Sequence, residues 1–414
     1  MTMTTTTRGL GLAFLAGLVM VSCGGDDDDT SSGTAGTSGK GGSSSNGGKT
    51  GGGTAGKTGG DNSSMAGAGD LGGAPAVSNG KVTRTDLTFG AATGGAGGAG
   101  SADAENKAKN QDPNLINAWG ISFDPDPDED THFWVSAADS GVSTVYAPDG
   151  TPAPLVVTIP AAEAGGMGSP TGQVYNTTTD FEGDVFIFAS EDGLITGWKT
   201  GTAAVMRADH SADQASYKGL TLIEGADPML VAVNFWAGTL DVFDKAYAVV
   251  DAPMFVDPKP VSGYAPFNVA ALGDKVYVAY VKQSADKADE VAGAGLGYVN
   301  AFNPDGSFDA QLIARGGELN APWGLALAPA GFAPAPGALL VGNFGDGMIH
   351  SYSPATGKLI GTLNDTDGHP IAIDGLWALA FGPKKTTDDL SQNLYFTAGP
   401  EEETQGLFGV LMAP

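Results

Sequence analysis

Between residues 81 and 414 one short pattern returns six times, and this return restricts the fold more than any other property of the chain. Its units are Ala118-Trp119-Gly120-Ile121, Thr171-Gly172-Gln173-Val174, Lys218-Gly219-Leu220-Thr221, Pro266-Phe267-Asn268-Val269, Pro322-Trp323-Gly324-Leu325 and Leu376-Trp377-Ala378-Leu379. Aligned on Gly120, Gly172, Gly219, Asn268, Gly324 and Ala378, successive units lie 52, 47, 49, 56 and 54 residues apart. Each is followed by further runs of β-branched and aromatic residues, such as Val185-Phe186-Ile187-Phe188 and Leu194-Ile195-Thr196-Gly197-Trp198 in the second unit. Gly, Asn, Asp and Pro separate the runs, and none sustains a helical period of about 3.6 residues, so they read as strands divided by turns. A small antiparallel sheet repeated at this spacing stacks radially into a β-propeller. The expected fold is therefore all-β: a single six-bladed β-propeller over residues 81–414, with blades of four antiparallel strands. A two-sheet sandwich of about 100 residues would account for only roughly a third of the repeats.

A ring of sheets must close, because an open first or last blade leaves a strand edge unpaired. The run from Lys81 to Phe89 precedes the first repeat and has strand character, so it is expected to add to the last blade. Gly90 to Gly100 and the polar stretch up to Asn110 then form a loop leading into the first blade.

Residues 1–80 have a different composition. Arg8 precedes an apolar stretch from Gly9 to Ser22, too short to span a bilayer and suited to a secretory signal peptide over residues 1–22. Met20-Val21-Ser22-Cys23 resembles the bacterial lipobox, and Cys23 is the only cysteine in the chain. Acylation of Cys23 with two or more chains gives stable membrane attachment. Residues 23–80 read as a disordered tether: 20 of the 57 residues from Gly24 to Gly80 are glycine, and large apolar side chains are scarce. As a Gly-rich coil it spans about 40 Å. The expected location is outside the cell, lipid-anchored to the bacterial envelope. The outer membrane is preferred over the inner, because Asp26 to Asp29 do not directly follow Cys23.

The formal charge of −27 disfavours nucleic acid, which rewards clustered Lys and Arg. A single cysteine leaves no intramolecular disulfide, and no Gly-x-Ser-x-Gly elbow aims a serine in the repeat region. His132, His210, His350 and His369 are scattered without ligand spacing. In a propeller the loops entering the innermost strands border the central channel. Asn117, Thr171, Lys218, Asn268, Asn320 and Asp374 are therefore expected to converge there, over an apolar wall of Trp119, Trp323 and Trp377. The expected partner is a protein, a glycan or a small molecule, with the membrane touched through the lipid alone. The alternative is a metal-dependent, lactonase-like hydrolase with calcium or another divalent ion in the channel, for which Asn320 and Asp374 are the candidate ligands.

Longer motifs accompany the repeats: Asp112-Pro113-Asn114-Leu115-Ile116-Asn117-Ala118-Trp119-Gly120, Pro170-Thr171-Gly172, Tyr217-Lys218-Gly219, Phe255-Val256-Asp257-Pro258 and Ala265-Pro266-Phe267-Asn268. Further along come Leu319-Asn320-Ala321-Pro322-Trp323-Gly324, Gly342-Asn343-Phe344-Gly345-Asp346-Gly347, Asp374-Gly375-Leu376-Trp377 and Phe396-Thr397-Ala398-Gly399-Pro400. Together they resemble a family of exported bacterial β-propeller-like proteins of uncharacterised function, many of which carry a PEP-CTERM sorting tail. The resemblance implies export and a propeller with NHL- or YVTN-like blades. The C-terminal Val410-Leu411-Met412-Ala413-Pro414 is not such a tail, so the lipobox takes the anchoring role.

Overall fold

A computed structural model of the chain describes residues 80–90, 108–126, 129–332, 335–386 and 388–414. The signal peptide, Cys23, the tether and most of the loop from Gly90 to Asn110 lie outside the described residues.

The strands form six antiparallel sheets. Blade one contains Ala118–Phe123, Phe133–Ala137, Val142–Tyr146 and Pro152–Thr158. Blade two contains Pro170–Tyr175, Phe186–Ser190, Leu194–Trp198 and Val205–Asp209. Blade three contains Tyr217–Ile223, Met229–Asn234 and Thr239–Phe243. Blade four contains Tyr264–Leu272, Lys275–Lys282, Gly297–Phe302 and Phe308–Ile313. Blade five contains Pro322–Leu327, Leu339–Asn343, Ile349–Tyr352 and Leu359–Thr362. Blade six contains Leu376–Phe381, Asn393–Ala398 and Leu407–Met412, with Thr83–Phe89 as its outermost strand.

The repeated small residue now has a physical cause. A Cβ on Gly120 would run into the Thr171 carbonyl of the next blade, and one on Gly172 would meet the Leu220 amide. Gly219 faces Asn268 in the same way, and Gly324 faces the Trp377 carbonyl. These glycines are where neighbouring innermost strands touch. Where the repeat departs from glycine, a hydrogen bond spans the gap. The Asn268 amide donates from Nδ2 to the Trp323 carbonyl at 2.7 Å. Beside Ala378, the Thr397 hydroxyl donates to the Trp119 carbonyl and accepts the Ala378 N–H, so blade six joins blade one.

The ring closes as the chain ends imply. Thr83–Phe89 runs antiparallel to Leu407–Met412, pairing Thr83 with Met412 and Phe89 with Leu407 around a bulge between Asp86 and Thr88. Its Val82, Leu87 and Phe89 are buried, and the Thr88 hydroxyl donates to the Gly150 carbonyl of blade one at 2.5 Å. Asn110–Gln111 adds a short parallel pairing against Thr88 and Phe89.

Blade three stops at three strands. After Phe243 the chain returns once, bridging Phe243 to Val249 with the Val250 N–H donating to the Val242 carbonyl at 2.8 Å, and then leaves the sheet.

Candidate functional site

The second residue of the repeat points to the axis in several blades, and these side chains meet. Trp119 and Trp377 stack with ring centroids 3.5 Å apart, and Trp323 stands edge-on to both at 5.8 Å. Phe267 lies 6.4 Å from Trp119 and 5.9 Å from Trp377, and Phe344 stacks on Trp377 at 4.2 Å. Trp119, Phe267, Trp323 and Trp377 are all buried. The indoles expected to line an open wall instead pack against one another and form a floor. Farther along the same strands, Gly172, Gln173, Thr221, Asn268 and Trp323 border a small cavity of about 160 Å³.

A polar basin surrounds this floor. Asn117 accepts the Trp377 indole N–H on Oδ1 at 3.0 Å and donates from Nδ2 to Glu403 Oε2 at 2.7 Å. Lys218 is buried and paired with Glu191, its Nζ 5.0 Å from the Trp119 ring centroid and 5.6 Å from that of Phe235. Asp139, Glu191, Glu290 and Glu403 all project from the connections between second and third strands, in blades one, two, four and six. Burial opposes the charge of Lys218, but Glu191, Glu290 and Asp289 outweigh it and raise its pKa. Burial likewise works against Glu191, where Lys218 and Ser169 prevail and hold the carboxyl low. Burial, then repulsion from Glu290, pushes Glu403 up to about 7 in spite of the Asn117 bond. Burial also raises Glu290, and burial with Glu191 raises Asp139. Three carboxylates, Glu191, Glu290 and Glu403, thus face one lysine where water is partly excluded, and Asp139 stands at the exposed rim beside Glu191.

Backbone strain gathers beside the same groups. Asn117 has φ 49°, Ala321 φ 47°, and Glu401, Glu402 and Glu403 have φ 57°, 53° and 67° in succession. Each non-glycine residue in this left-handed region costs roughly 1–2 kcal/mol unless its surroundings impose it. Here they do. Asp374 accepts the Glu401 N–H at 2.9 Å, the Gly399 carbonyl accepts the Glu403 N–H at 3.2 Å, and the Gln405 carbonyl accepts the Asn117 N–H at 3.0 Å.

The expected site residues therefore divide. Asn117 and Lys218 belong to the basin, and Trp119 and Trp323 to its floor. Thr171 lies buried between blades, its hydroxyl donating to the Tyr217 carbonyl at 2.7 Å, while Asn268 bridges to blade five. Asn320 accepts the Gly293 N–H at 2.6 Å and donates to Asp346 at 3.2 Å, and Asp374 braces the loop of glutamates. Asn320 and Asp374 each hold a loop by separate partners. Among the described residues, the group of His, Asp or Glu whose ligand atoms all lie within 4.8 Å is Asp365, Asp367 and His369, on a mostly exposed loop. There the Asp367 and His369 N–H groups both donate to Asp365 Oδ1 at 2.9 Å, which is the geometry of an Asx turn.

The raised pKa of Glu403 gives a signed prediction. From the ordinary 4.5 up to about 7 the folded state holds a proton that the unfolded state has released, so stability falls as pH rises through this window. Glu403→Gln keeps an acceptor for Asn117 and removes the penalty. Its urea midpoint should gain on the parent's between pH 4 and pH 8; a constant difference across that range would contradict the assignment.

Six sheets closed around a sealed axis define a six-bladed β-propeller. No family model matches the chain. It belongs to the same family as two uncharacterised proteins of Acanthamoeba polyphaga mimivirus. One is 30% identical over 323 residues, covering 73% of this chain and 76% of the relative. The other is 32% identical over 324 residues, covering 73% and 81%. Similar solved structures include a luciferin-regenerating enzyme, at TM-score 0.43 and 12% identity over 72% of this chain and 92% of that one. Virginiamycin B lyase from Staphylococcus aureus gives TM-score 0.42 and 11% identity over 72% and 96%. The propeller assignment itself rests on the sheets and their register.

Proposed function

We propose that this chain is a lipid-anchored display protein whose propeller binds a small cationic ligand in the basin above the tryptophan floor. The observation that supports this reading is the convergence of Asn117, Lys218, Glu191, Glu290 and Glu403 from five blades, with Asp139 beside them, leaving carboxylates in excess over one ammonium. A cation placed there offsets repulsion that the protein otherwise bears, and the aromatic floor adds cation–π attraction. A hydrolase needs three or four oxygens closing on one ion with a base to spare, and the loops holding Asn320 and Asp374 are built otherwise.

The test is calorimetric titration of the full chain with 1,4-diaminobutane and tetramethylammonium. Binding should weaken at least tenfold in the Glu290→Gln, Glu403→Gln double variant and should decline from pH 8 to pH 6 as Glu403 takes up its proton. If neither amine binds, or the double variant binds unchanged with an intact circular dichroism spectrum, the reading fails.

Anchoring is proposed from the lipobox resemblance at Met20-Val21-Ser22-Cys23. Cys23→Ser should shift the protein from the membrane fraction to the soluble one in a bacterial host. Full retention in the membrane fraction would place the anchor elsewhere.

A further inference from the structure

The missing fourth strand of blade three leaves an open sheet edge. Val242 gives its carbonyl to Val250 and Asp244 gives its N–H to Ala248, so the main-chain groups of Val242 and Asp244 point outward. In an antiparallel ladder outward and inward residues alternate, which turns the N–H and C=O of Leu240 outward as well. Among the described residues no hydrogen bond takes them. Leu240 and Asp241 form one side of a groove of about 460 Å³, whose other sides are Tyr264, Tyr280 and Tyr298 of blade four and the segment from Ala252 to Asp257.

Among the described residues one carboxylate, that of Asp257, faces this groove. Asp257 accepts the Tyr298 hydroxyl at 3.1 Å, whereas Asp241 alternates with Leu240 along the strand and turns its carboxylate to the opposite face, where it accepts the Tyr217 hydroxyl at 2.8 Å and the Asn234 amide at 2.9 Å. The hydrogen-bond partners of Asp257 are neutral, and it enters no ion pair among the described residues. The nearest aromatic cation contact is Arg315, whose guanidinium lies 5.2 Å from the Tyr264 ring centroid. The groove therefore combines an unused strand edge, an aromatic wall and, in Asp257, a carboxylate outside any ion pair.

We propose that the open edge of blade three is a docking site for an extended peptide segment carrying a lysine or arginine. The segment pairs its main chain with Leu240, as an added strand does at other exposed edges, and turns its basic side chain toward Asp257. The three residues Thr239 to Asp241 offer about 10 Å of edge, room for three or four residues of a partner strand. An extended segment fits this place because it alone uses both the main-chain groups and the charge.

The probe is a fluorescein-labelled five-residue peptide of alternating threonine and valine about a central lysine, titrated by anisotropy against the full chain. Saturable binding is expected, at least tenfold weaker when the lysine is replaced by glutamate or when alternate peptide amides are N-methylated. Asp257→Asn should weaken binding several-fold with an unchanged melting curve. The Glu290→Gln, Glu403→Gln variant should bind the peptide normally, which separates this edge from the axial basin. No saturable binding up to millimolar peptide overturns the proposal, as does equal binding of the N-methylated peptide. Cellotetraose displacing the peptide from the Tyr264 groove at micromolar concentration would assign the groove to saccharides and overturn it too.

Discussion

Trp377→Ala is expected to lower the unfolding free energy by about 3–5 kcal/mol, the range for deleting a large aromatic from a packed interior. Trp377 is fully buried, stacks on both Trp119 and Phe344, and gives its indole N–H to Asn117. Truncation removes the middle of the floor and frees an amide that positions Glu403. Two signals should move together: the urea midpoint falls, and the carboxyl titration of Glu403 shifts, because its Asn117 partner is no longer fixed. Trp377→Phe should recover part of the packing but not the indole bond, so its midpoint should lie between those of the parent and the alanine variant. A midpoint for Trp377→Ala within about 1 kcal/mol of the parent would mean that the floor contributes little to the ring.

Deleting residues 24–90 should have a comparable or larger effect. The closing strand buries Val82, Leu87 and Phe89, and at about 1.5–3 kcal/mol for each large apolar side chain the loss is of order 5–8 kcal/mol. It also uncovers the edge of Leu407–Met412, so aggregation should accompany the loss. Deletion of residues 24–79 alone should leave the melting temperature nearly unchanged, given the polar, Gly-rich composition of that tract. Equal melting temperatures for the two deletions would contradict closure by Thr83–Phe89.

The fold was legible because its most demanding contacts recur. The glycines at 120, 172, 219 and 324 stand where one blade's backbone meets the next, and a constraint imposed six times writes itself into the spacing. Closure was legible because a strand-like run ahead of the first repeat had nowhere else to pair. The basin was half legible. Asn117 and Lys218 stand just ahead of the repeat glycines, whereas Asp139, Glu191, Glu290 and Glu403 come from connections between second and third strands that range from residues 191–193 in blade two to residues 283–296 in blade four. Turn residues in those connections read as turns, and a sequence does not reveal which carboxylate leans toward the axis. Left-handed backbone in the three successive glutamates Glu401 to Glu403 follows from Asp374 and Gly399 across the turn and from nothing in the local sequence. Blade three's missing strand was equally hidden, since the segment after Phe243 carries apolar residues but pairs only at Val249.

The pairing of Thr83 with Met412 also sets an order in time. The first strand of the propeller to leave a ribosome is the last to find its partner, more than 300 residues later. Blades one to five can assemble from contacts within each repeat, whereas the sixth waits for Leu407–Met412 to be made, with its outer strand unpaired. Loop closure over so long a separation is slow. A chaperone that holds residues 81–90 during this interval, or a translational pause before Leu407, would therefore raise the yield of closed rings without altering the stability of the finished one.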